Sequence, residues 1–212
     1  MSRPRLFGAD YSVYVRIARL TLMEKQVDYE HVPVDIFDPA GPPDWYLELQ
    51  PFRRIPALDD NGFVLFETAA ITRYVDEAFA GPPLQPAGAK ARARMNQTIA
   101  ILDHYAYRAM VWDVYVERVT RPAEGHQPDE GRIAAALPVA ETCLATLTKI
   151  KGANAWLAGD AISLADLHAA PMIAYFVKAP EGDALLEKFP ELNDWWARMR
   201  ARPAFQATEP AD

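Results

Sequence analysis

Hydrophobic and polar residues alternate between strand-like and helix-like spacing in the first third of the chain. A short apolar segment that ends in glycine predicts a strand over residues 5–8. A helical pattern follows over residues 12–25, and a run that contains Tyr and Val over residues 28–35 predicts a second strand. Because a helix separates these two strands, we expect them to lie parallel.

A hairpin and a longer helix complete this first region. Asn61-Gly62 stands between two apolar runs, which is the strongest short-range signal for a β-hairpin. The apolar residues that follow recur with helical spacing, so we expect a helix there. In order, the predicted elements are a Pro/Gly loop (38–43), a short helix (45–49), strands over 57–58 and 63–66, and a helix over 67–79. The resulting order βαβαββα over residues 5–79 is that of a thioredoxin-like domain.

Beyond residue 80 the strand signals disappear. Residues 81–89 are rich in Pro, Gly and Ala and carry no charge, which is typical of a linker. The predicted helices cover 90–119, 132–151, 163–176 and 190–202, with a polar loop over 120–131 and a turn over 156–160. The predicted fold is therefore α/β plus all-α: an α/β domain over 1–80, a linker over 81–89 and an all-helical C-terminal domain over 90–212.

Composition places the chain among ordinary globular proteins and limits its partners. Half of its 212 residues are hydrophobic and 24% are charged, enough for one large or two small domains. No apolar run reaches the ~20 residues of a membrane-spanning helix, and we expect no secretory signal. The single Cys143 excludes an intramolecular disulfide, which favours the cytoplasm. The net charge of −7 argues against nucleic acid or an anionic membrane as a partner.

Two junctions in the hairpin region carry candidate chemistry. At Ile55-Pro56, the proline either starts a strand or forms a cis peptide bond, which X-Pro steps adopt at modest cost. At Glu67-Thr68, a predicted helix begins, and an acidic residue there stabilises the helix dipole. The same position also suits a ligand, because the carboxylate can face a cationic group while N–H groups of the first turn hold an anionic one. A zwitterionic amino-acid end would fit both.

Residues 54–79 resemble the glutathione-binding half of the cytosolic glutathione transferase family. The similarity lies in the Pro-Ala-Leu strand entry, in the acidic-Thr helix start and in the spacing between them. The resemblance implies that Pro56 is cis, that Ile55 offers its backbone to the cysteinyl part of glutathione, and that Glu67-Thr68 hold the γ-glutamyl end. An α/β domain followed by a helical one is also the architecture of this family, so the resemblance covers nearly the whole chain.

Ser12 is the residue that the resemblance assigns to thiol activation. The segment Ser12–Arg16 resembles the SPYVR-type helix start of serine-type transferases (phi-, theta- or tau-like, here of a bacterial type), with Val13 in place of Pro. Lowering a thiol pKa from about 8.5 by ~2 units needs about 2.7 kcal/mol. A hydroxyl that donates to an anion supplies ~1.5–3 kcal/mol, so one hydroxyl suffices. From the residues alone Ser12 is a helix N-cap, and the neighbouring Tyr11 is a rival activator with a more acidic hydroxyl.

The resemblance places the glycyl carboxylate of glutathione near the residues before Pro56. Arg54 is the predicted partner, because a guanidinium binds a carboxylate bidentately. Gln50 is a second candidate for the same end of the ligand. Phe52 either packs within its own chain or inserts into a partner subunit, as an aromatic residue there does in several family members, and a homodimer is therefore expected.

The resemblance also implies an electrophile pocket beside the long helix that begins near residue 90. Four residues of this helix lie roughly on one face if its period is that of an α-helix. With Tyr11, they form the predicted pocket: Tyr105, Arg108, Trp112 and Tyr115. An aromatic stripe of this kind is also typical of a helix that packs in a core, and that alternative stays open.

Ser163 and Asp166 form a near capping box before an apolar run, which explains both residues structurally. The neighbouring His168 has no other potential ligand at metal-binding spacing, so we predict no metal site. Glutathione is then the only co-substrate implied. Three functions fit: an enzyme that conjugates glutathione to small electrophiles, a non-catalytic glutathione-binding protein, or a glutathione-dependent peroxidase or isomerase on the same fold.

Overall fold

The structure, a computed structural model, describes residues 3–210 of the chain. They separate into two units. The first unit runs to Leu84 and includes the C-terminal segment from Arg202, and the second spans Gln85–Ala201.

The first unit is built on a four-stranded sheet in the order β2-β1-β3-β4. Its elements are β1 (Arg5–Phe7), α1 (Val13–Glu24), β2 (Glu30–Val32), α2 (Asp44–Leu47), β3 (Ala57–Asp60), β4 (Phe63–Phe66) and α3 (Thr68–Ala78). Strand β1 lies parallel to β2, whereas β3 is antiparallel to β1 and β4. The predicted βαβαββα order and the parallel first pair are confirmed, which makes this unit a thioredoxin-like domain.

The β3–β4 hairpin has the turn that its sequence predicts. Asn61 and Gly62 have φ angles of 55° and 92°, and a two-residue type I′ turn requires positive φ at both positions. The carboxylate of Asp59 accepts a hydrogen bond from the Gly62 N–H at 2.7 Å. This turn fixes the register in which Ala57 lies opposite Phe66.

The second unit is entirely helical in the described residues. Its elements are α4 (Ala89–Ile101), a π-helix (Leu102–Thr120), α5 (Arg121–Ala123), α6 (Glu130–Lys151), α7 (Leu164–Phe176), α8 (Pro180–Leu186) and α9 (Pro190–Arg200). Helix α6 meets the length and composition of a membrane-crossing helix, as core helices of soluble proteins also do. Its buried residues are apolar apart from the terminal Lys151: Ile133, Ala136, Ala140, Cys143, Leu144 and Leu147.

Two helical details differ from the sequence prediction. The predicted polar loop over 120–131 is shorter, because α5 continues the π-helix and α6 begins at Glu130, with Asp129 as its N-cap. The short helix α8 was not predicted. It begins with Pro180 at its first position, where proline is favoured because no helical partner exists for an N–H there.

The last described residues belong to the first unit, although the sequence pattern assigned all of 90–212 to one helical domain. Here α10 (Pro203–Ala207) packs on α1. The guanidinium of Arg16 is buried, donates to the Phe205 carbonyl at 3.1 Å and lies 4.1 Å from the centre of the Phe205 ring. Arg202 adds a bidentate ion pair with Glu24, at 2.7 and 2.6 Å. A buried cation needs acceptors, and the C-terminal segment supplies them to Arg16.

Candidate active site

The predicted site residues lie next to the ends of strands β1, β3 and β4, on the same side of the sheet. This row of strand ends is the sheet edge that carries the candidate site. The register aligns Phe7, Ala57 and Phe66 across β1, β3 and β4. The predicted site residues leave the sheet at this edge: Ser12 after β1, Ile55-Pro56 before β3 and Glu67-Thr68 after β4. Strands are about 4.8 Å apart, so the edge from β1 to β4 measures roughly 10 Å. That distance is about the length of an extended tripeptide.

Ser12 is the N-cap of α1. It has extended backbone angles, and its side-chain oxygen accepts from the Val15 N–H at 3.4 Å. A hydroxyl oxygen that accepts in this way keeps its own proton available for donation. The residue is half-buried and stands at the positive end of the helix dipole. The arrangement can therefore donate a hydrogen bond to an anion at this edge.

The side chain of Tyr11 interacts with the loop that follows β2. Its phenol donates to the Asp35 carboxylate at 2.6 Å, and its ring stacks on Phe37 with centroids 5.8 Å apart. Burial, followed by the bond to Asp35, raises the pKa of Tyr11 well above its usual value. A phenol with a raised pKa and an engaged proton is a weak donor toward a thiolate.

At Gly8, the loop before Ser12 packs closely against Ile55, the residue that precedes Pro56. Its φ is 146°, and a Cβ there would lie 2.4 Å from Val15 and 3.2 Å from Ile55, so only glycine fits. The Gly8 carbonyl is 2.8 Å from His31 Nε2, which holds the loop from β2. In the sequence, Gly8 is recognisable only as the end of the first predicted strand. Its position directly after the first strand is the signal that could have identified it.

The Ile55-Pro56 peptide bond is cis, as the resemblance implied. Ile55 is buried, and neither its N–H nor its C=O forms a hydrogen bond within residues 3–210. Buried backbone groups without a partner are uncommon. At this edge they offer one donor and one acceptor to an extended peptide ligand.

The loop before Ile55 carries two exposed arginines. Among the described residues the side chains of Arg53 and Arg54 make no ion pair, and Arg53 has a positive φ of 57°. The Gln50 side-chain oxygen accepts from the N–H groups of Phe52 at 2.7 Å and of Arg54 at 3.4 Å. Gln50 is 1% exposed, so its buried side chain stabilises the conformation of this loop through these hydrogen bonds.

Glu67 and Thr68 begin α3 in a strained conformation. Glu67 is the N-cap with φ 71° and ψ 110°, which is rare outside glycine. Its exposed carboxylate forms no ion pair within residues 3–210, and no bond there uses the N–H groups of Thr68 and Ala69. One anionic group and two free N–H donors therefore lie side by side. Backbone strain held at such a place is typical of a ligand site.

The predicted electrophile residues of the second unit do not share one face. Tyr105 and Arg108 line a groove of about 290 Å³ between the π-helix and α6, whereas Tyr115 packs on Tyr175 of α7, with ring centroids 4.6 Å apart. Trp112 is half-buried and does not line the groove. The expectation of one face assumed an α-helical period, but a π-helix has i→i+5 hydrogen bonds and distributes these positions differently.

Ser163 and Asp166 form the capping box that the sequence predicts. Asp166 is fully buried and accepts four hydrogen bonds of 2.8 Å, from the Leu157 N–H, the Trp195 indole and both the N–H and hydroxyl of Ser163. Burial raises the pKa of Asp166, while these donors oppose the rise. The residue is thus structural.

His168 and Cys143 of the second unit are also buried. His168 is fully buried, with Nδ1 4.0 Å from the Asp103 carboxylate. Burial raises the pKa of Cys143 to about 11, so the thiol is unreactive at neutral pH. No group of three or more His, Cys, Asp or Glu side chains suited to a metal ion occurs in the described part of the chain.

Family comparisons match both units. Residues 6–83 match the model of the glutathione S-transferase N-terminal domain, and residues 99–203 match that of the C-terminal domain. The chain is 36% identical over 203 residues to glutathione S-transferase hmp2 of Hypomyces subiculosus, which covers 93% of each chain. It is 34% identical to glutathione S-transferase 3 of Zea mays, covering 98% of this chain and 94% of the relative.

Solved structures agree with the sequence matches. Glutathione S-transferase III in its apo form superposes with a TM-score of 0.86 at 33% identity, covering 98% of this chain and 95% of the other. Glutathione transferase F7 from Populus trichocarpa superposes with a TM-score of 0.83 at 30% identity, covering 97% of each chain. The similarity extends over both units.

Proposed function

The chain belongs to the glutathione S-transferase family and is a transferase enzyme, and we propose that it conjugates the thiolate of glutathione to small electrophiles with Ser12 as the thiol activator. The observation that carries this proposal is the Ser12 hydroxyl at the N-terminus of α1, on the same sheet edge as the free backbone groups of Ile55 and the start of α3. A protein that only bound glutathione would need no such hydroxyl.

The sheet edge supports a specific orientation of glutathione. The cysteinyl part pairs with the free N–H and C=O of Ile55, next to the cis Pro56. The γ-glutamyl carboxylate binds the free N–H groups at the start of α3, with the Thr68 hydroxyl, and its amine faces the Glu67 carboxylate. The glycyl carboxylate binds Arg54, and Gln50 holds that loop in place. Opposite charges at the two ends match a zwitterionic tripeptide.

The two charged ends predict different losses on mutation. Glu67→Ala should weaken glutathione by ~1.5–3 kcal/mol, because the bound amine loses its charged acceptor. Arg54→Ala should weaken glutathione more than γ-glutamylcysteine, which lacks the glycyl carboxylate. Calorimetric titration of both ligands measures these differences, with Arg53→Ala as the matched control for loss of one exposed cation.

Either of two results would contradict this orientation. Unchanged glutathione affinity in Glu67→Ala would remove that residue from the site. Equal losses for glutathione and γ-glutamylcysteine in Arg54→Ala would show that Arg54 does not contact the glycyl end.

The predicted electrophile contacts of the second unit stay a prediction; of these, Tyr115 packs on Tyr175. Tyr105 and Arg108 line the groove beside α6, which is open to a ligand. Retention on immobilised glutathione, followed by a panel of aryl halides, epoxides, peroxides and isomerisable substrates, separates the alternatives. Retention without turnover on any substrate would favour the binding-protein alternative, and peroxide or isomerase turnover alone would favour the other enzymes.

We also propose a homodimer. Phe52 is 65% exposed, and its ring meets only the edge of the Phe66 ring, 5.8 Å between centroids, among the ring contacts of the described residues. Light scattering should give two chain masses at micromolar concentration. Phe52→Ala should shift the protein toward one chain mass, because burial of a phenylalanine is worth ~1.5–3 kcal/mol. Phe63→Ala, which removes another exposed ring, is the control. A wild-type protein of one chain mass would reject the dimer.

The remaining proposals concern the cellular location, the biological role and the transferase type of the protein. A cytoplasmic location is consistent with one cysteine and no disulfide in the chain. Conjugation of reactive electrophiles would give the protein a role in detoxification. The bacterial type and the serine type of the transferase stay predictions, and the Ser12 variants discussed below test the second.

A further inference from the structure

Tyr46 is a buried residue of α2 that makes none of the contacts proposed for glutathione. Its ring is fully buried against Phe7, with centroids 6.3 Å apart, and edge-on to Trp45 at 5.9 Å. Its phenol donates to the carbonyl oxygen of Arg54 at 2.7 Å. Burial raises the pKa of Tyr46, so the phenol stays protonated and remains a donor at neutral pH.

The Arg54 carbonyl and the Ile55 N–H belong to the same peptide group. A trans peptide is planar, and its C=O and N–H point in opposite directions. A bond that fixes the carbonyl on the core side therefore also fixes the direction of the Ile55 N–H. Hydrogen bonding to the carbonyl further polarises the peptide and strengthens N–H donation. On the other side of Arg54, the Gln50 oxygen accepts from its N–H at 3.4 Å.

We infer that Tyr46 is a positioning residue for the glutathione site: its phenol holds the Arg54–Ile55 peptide so that the Ile55 N–H points at the cysteinyl part of the ligand. This inference rests on the proposed function. It differs from a role through the Arg54 side chain, because the Tyr46 phenol contacts the backbone of Arg54. The cysteinyl part is common to glutathione and γ-glutamylcysteine, so Tyr46 should affect both ligands equally.

The test uses Tyr46→Phe, which removes only the hydroxyl and keeps the ring contacts. Affinities for glutathione and γ-glutamylcysteine should both fall by roughly tenfold, the scale of one lost hydrogen bond. The KM for glutathione should rise by a similar factor, while kcat at saturating glutathione changes much less. Tyr74→Phe is the control, because that phenol donates at 2.7 Å to Asp60, at the far end of the same hairpin. It should bind both ligands as the wild type does.

Calorimetric stoichiometry counts the folded protein, so weak binding at one ligand per chain is not a consequence of unfolding. A second variant, Gln50→Leu, releases the loop that carries the Arg54 side chain, so its loss should be larger for glutathione than for γ-glutamylcysteine and should differ from that of Tyr46→Phe. Unchanged affinities in Tyr46→Phe would overturn the inference, and so would a loss confined to glutathione, which is the pattern expected of Arg54→Ala. If the wild-type protein itself fails to bind glutathione, the proposed function fails, and the inference with it.

Discussion

Replacing Ser12 with alanine should raise the pKa of bound glutathione by ~1–2 units and lower turnover at neutral pH by roughly one to two powers of ten. The physical reason is the loss of a charged hydrogen bond worth ~1.5–3 kcal/mol, which acts on the thiolate and not on the neutral thiol. Glutathione affinity should change little, because the contacts proposed for Ile55, Thr68 and Arg54 remain. An ultraviolet titration of the bound thiolate measures the shift directly.

The N-cap role of Ser12 requires its own control. Its side-chain oxygen accepts from Val15, so alanine should also cost about 1 kcal/mol of stability, whereas glycine at an N-cap costs only a few tenths. Ser12→Gly therefore removes the hydroxyl and largely spares the helix start. Equal shifts of the thiol pKa in Ser12→Ala and Ser12→Gly, with different melting temperatures, would assign the shift to the lost donor.

Tyr11→Phe is the matched control for the rival activator. Because the Tyr11 phenol donates to Asp35, its removal should leave the pKa of the bound thiol unchanged. If the pKa of bound glutathione were the same in both Ser12 variants as in the wild type, Ser12 would be only a helix cap. Activation would then have to come from backbone N–H groups at the start of α1, or from Tyr11 if its variant shifted the pKa.

The sequence predicts the first unit well because local chemistry determines it. Asn61-Gly62 accepts the positive φ angles of a type I′ turn, and that turn sets the register of β3 and β4. The helix between the first two strands favours their parallel pairing, which the structure has. The hairpin brings Glu67-Thr68 next to the residues before β3, whereas the roles predicted for Ser12, Ile55 and Arg54 came from the resemblance to the glutathione transferase family.

Long-range contacts account for what the sequence did not predict. Arg16 lies in a segment that is recognisable as a helix start, yet the acceptors for its guanidinium come from Phe205 and Thr208, almost two hundred residues later. No local pattern links these positions. The hydrogen bond of Tyr46 to the Arg54 carbonyl is equally invisible, because a tyrosine in a short helix carries no signal of its partner.

The helical period is the other reason why the structure differs from the sequence prediction. The predicted face of Tyr105, Arg108 and Tyr115 assumed 3.6 residues per turn. The Arg108 guanidinium instead contacts Asp113, five residues on, at 2.8 Å, as the wider π-helical turn allows. Hydrophobic spacing in this segment resembles that of an α-helix closely enough that the sequence does not distinguish the two.

Asp166→Ala should destabilise the protein more than any other single change considered for this chain. Its carboxylate accepts four hydrogen bonds in the buried part of the second unit, and alanine would leave the Leu157 N–H and the Trp195 indole without acceptors. Each unsatisfied buried donor costs about 1–3 kcal/mol, so a total of about 4 kcal/mol is expected. For a chain of this size that corresponds to a fall in Tm of roughly 8–16 °C.

Asp129→Ala is the matched control, because Asp129 is also an N-cap carboxylate but is exposed and accepts one backbone bond, from Arg132 at 3.0 Å. It should cost only about 1 kcal/mol. Asp166→Asn should fall between the two, since one amide oxygen can still accept from Leu157 and Trp195 while the amide nitrogen cannot accept from Ser163. Thermal melting and urea unfolding, followed by tryptophan fluorescence, should rank the variants in this order. If Asp166→Ala melted with Asp129→Ala, the four buried bonds would contribute no more than an ordinary cap, and a structural role could not explain why a carboxylate is buried there.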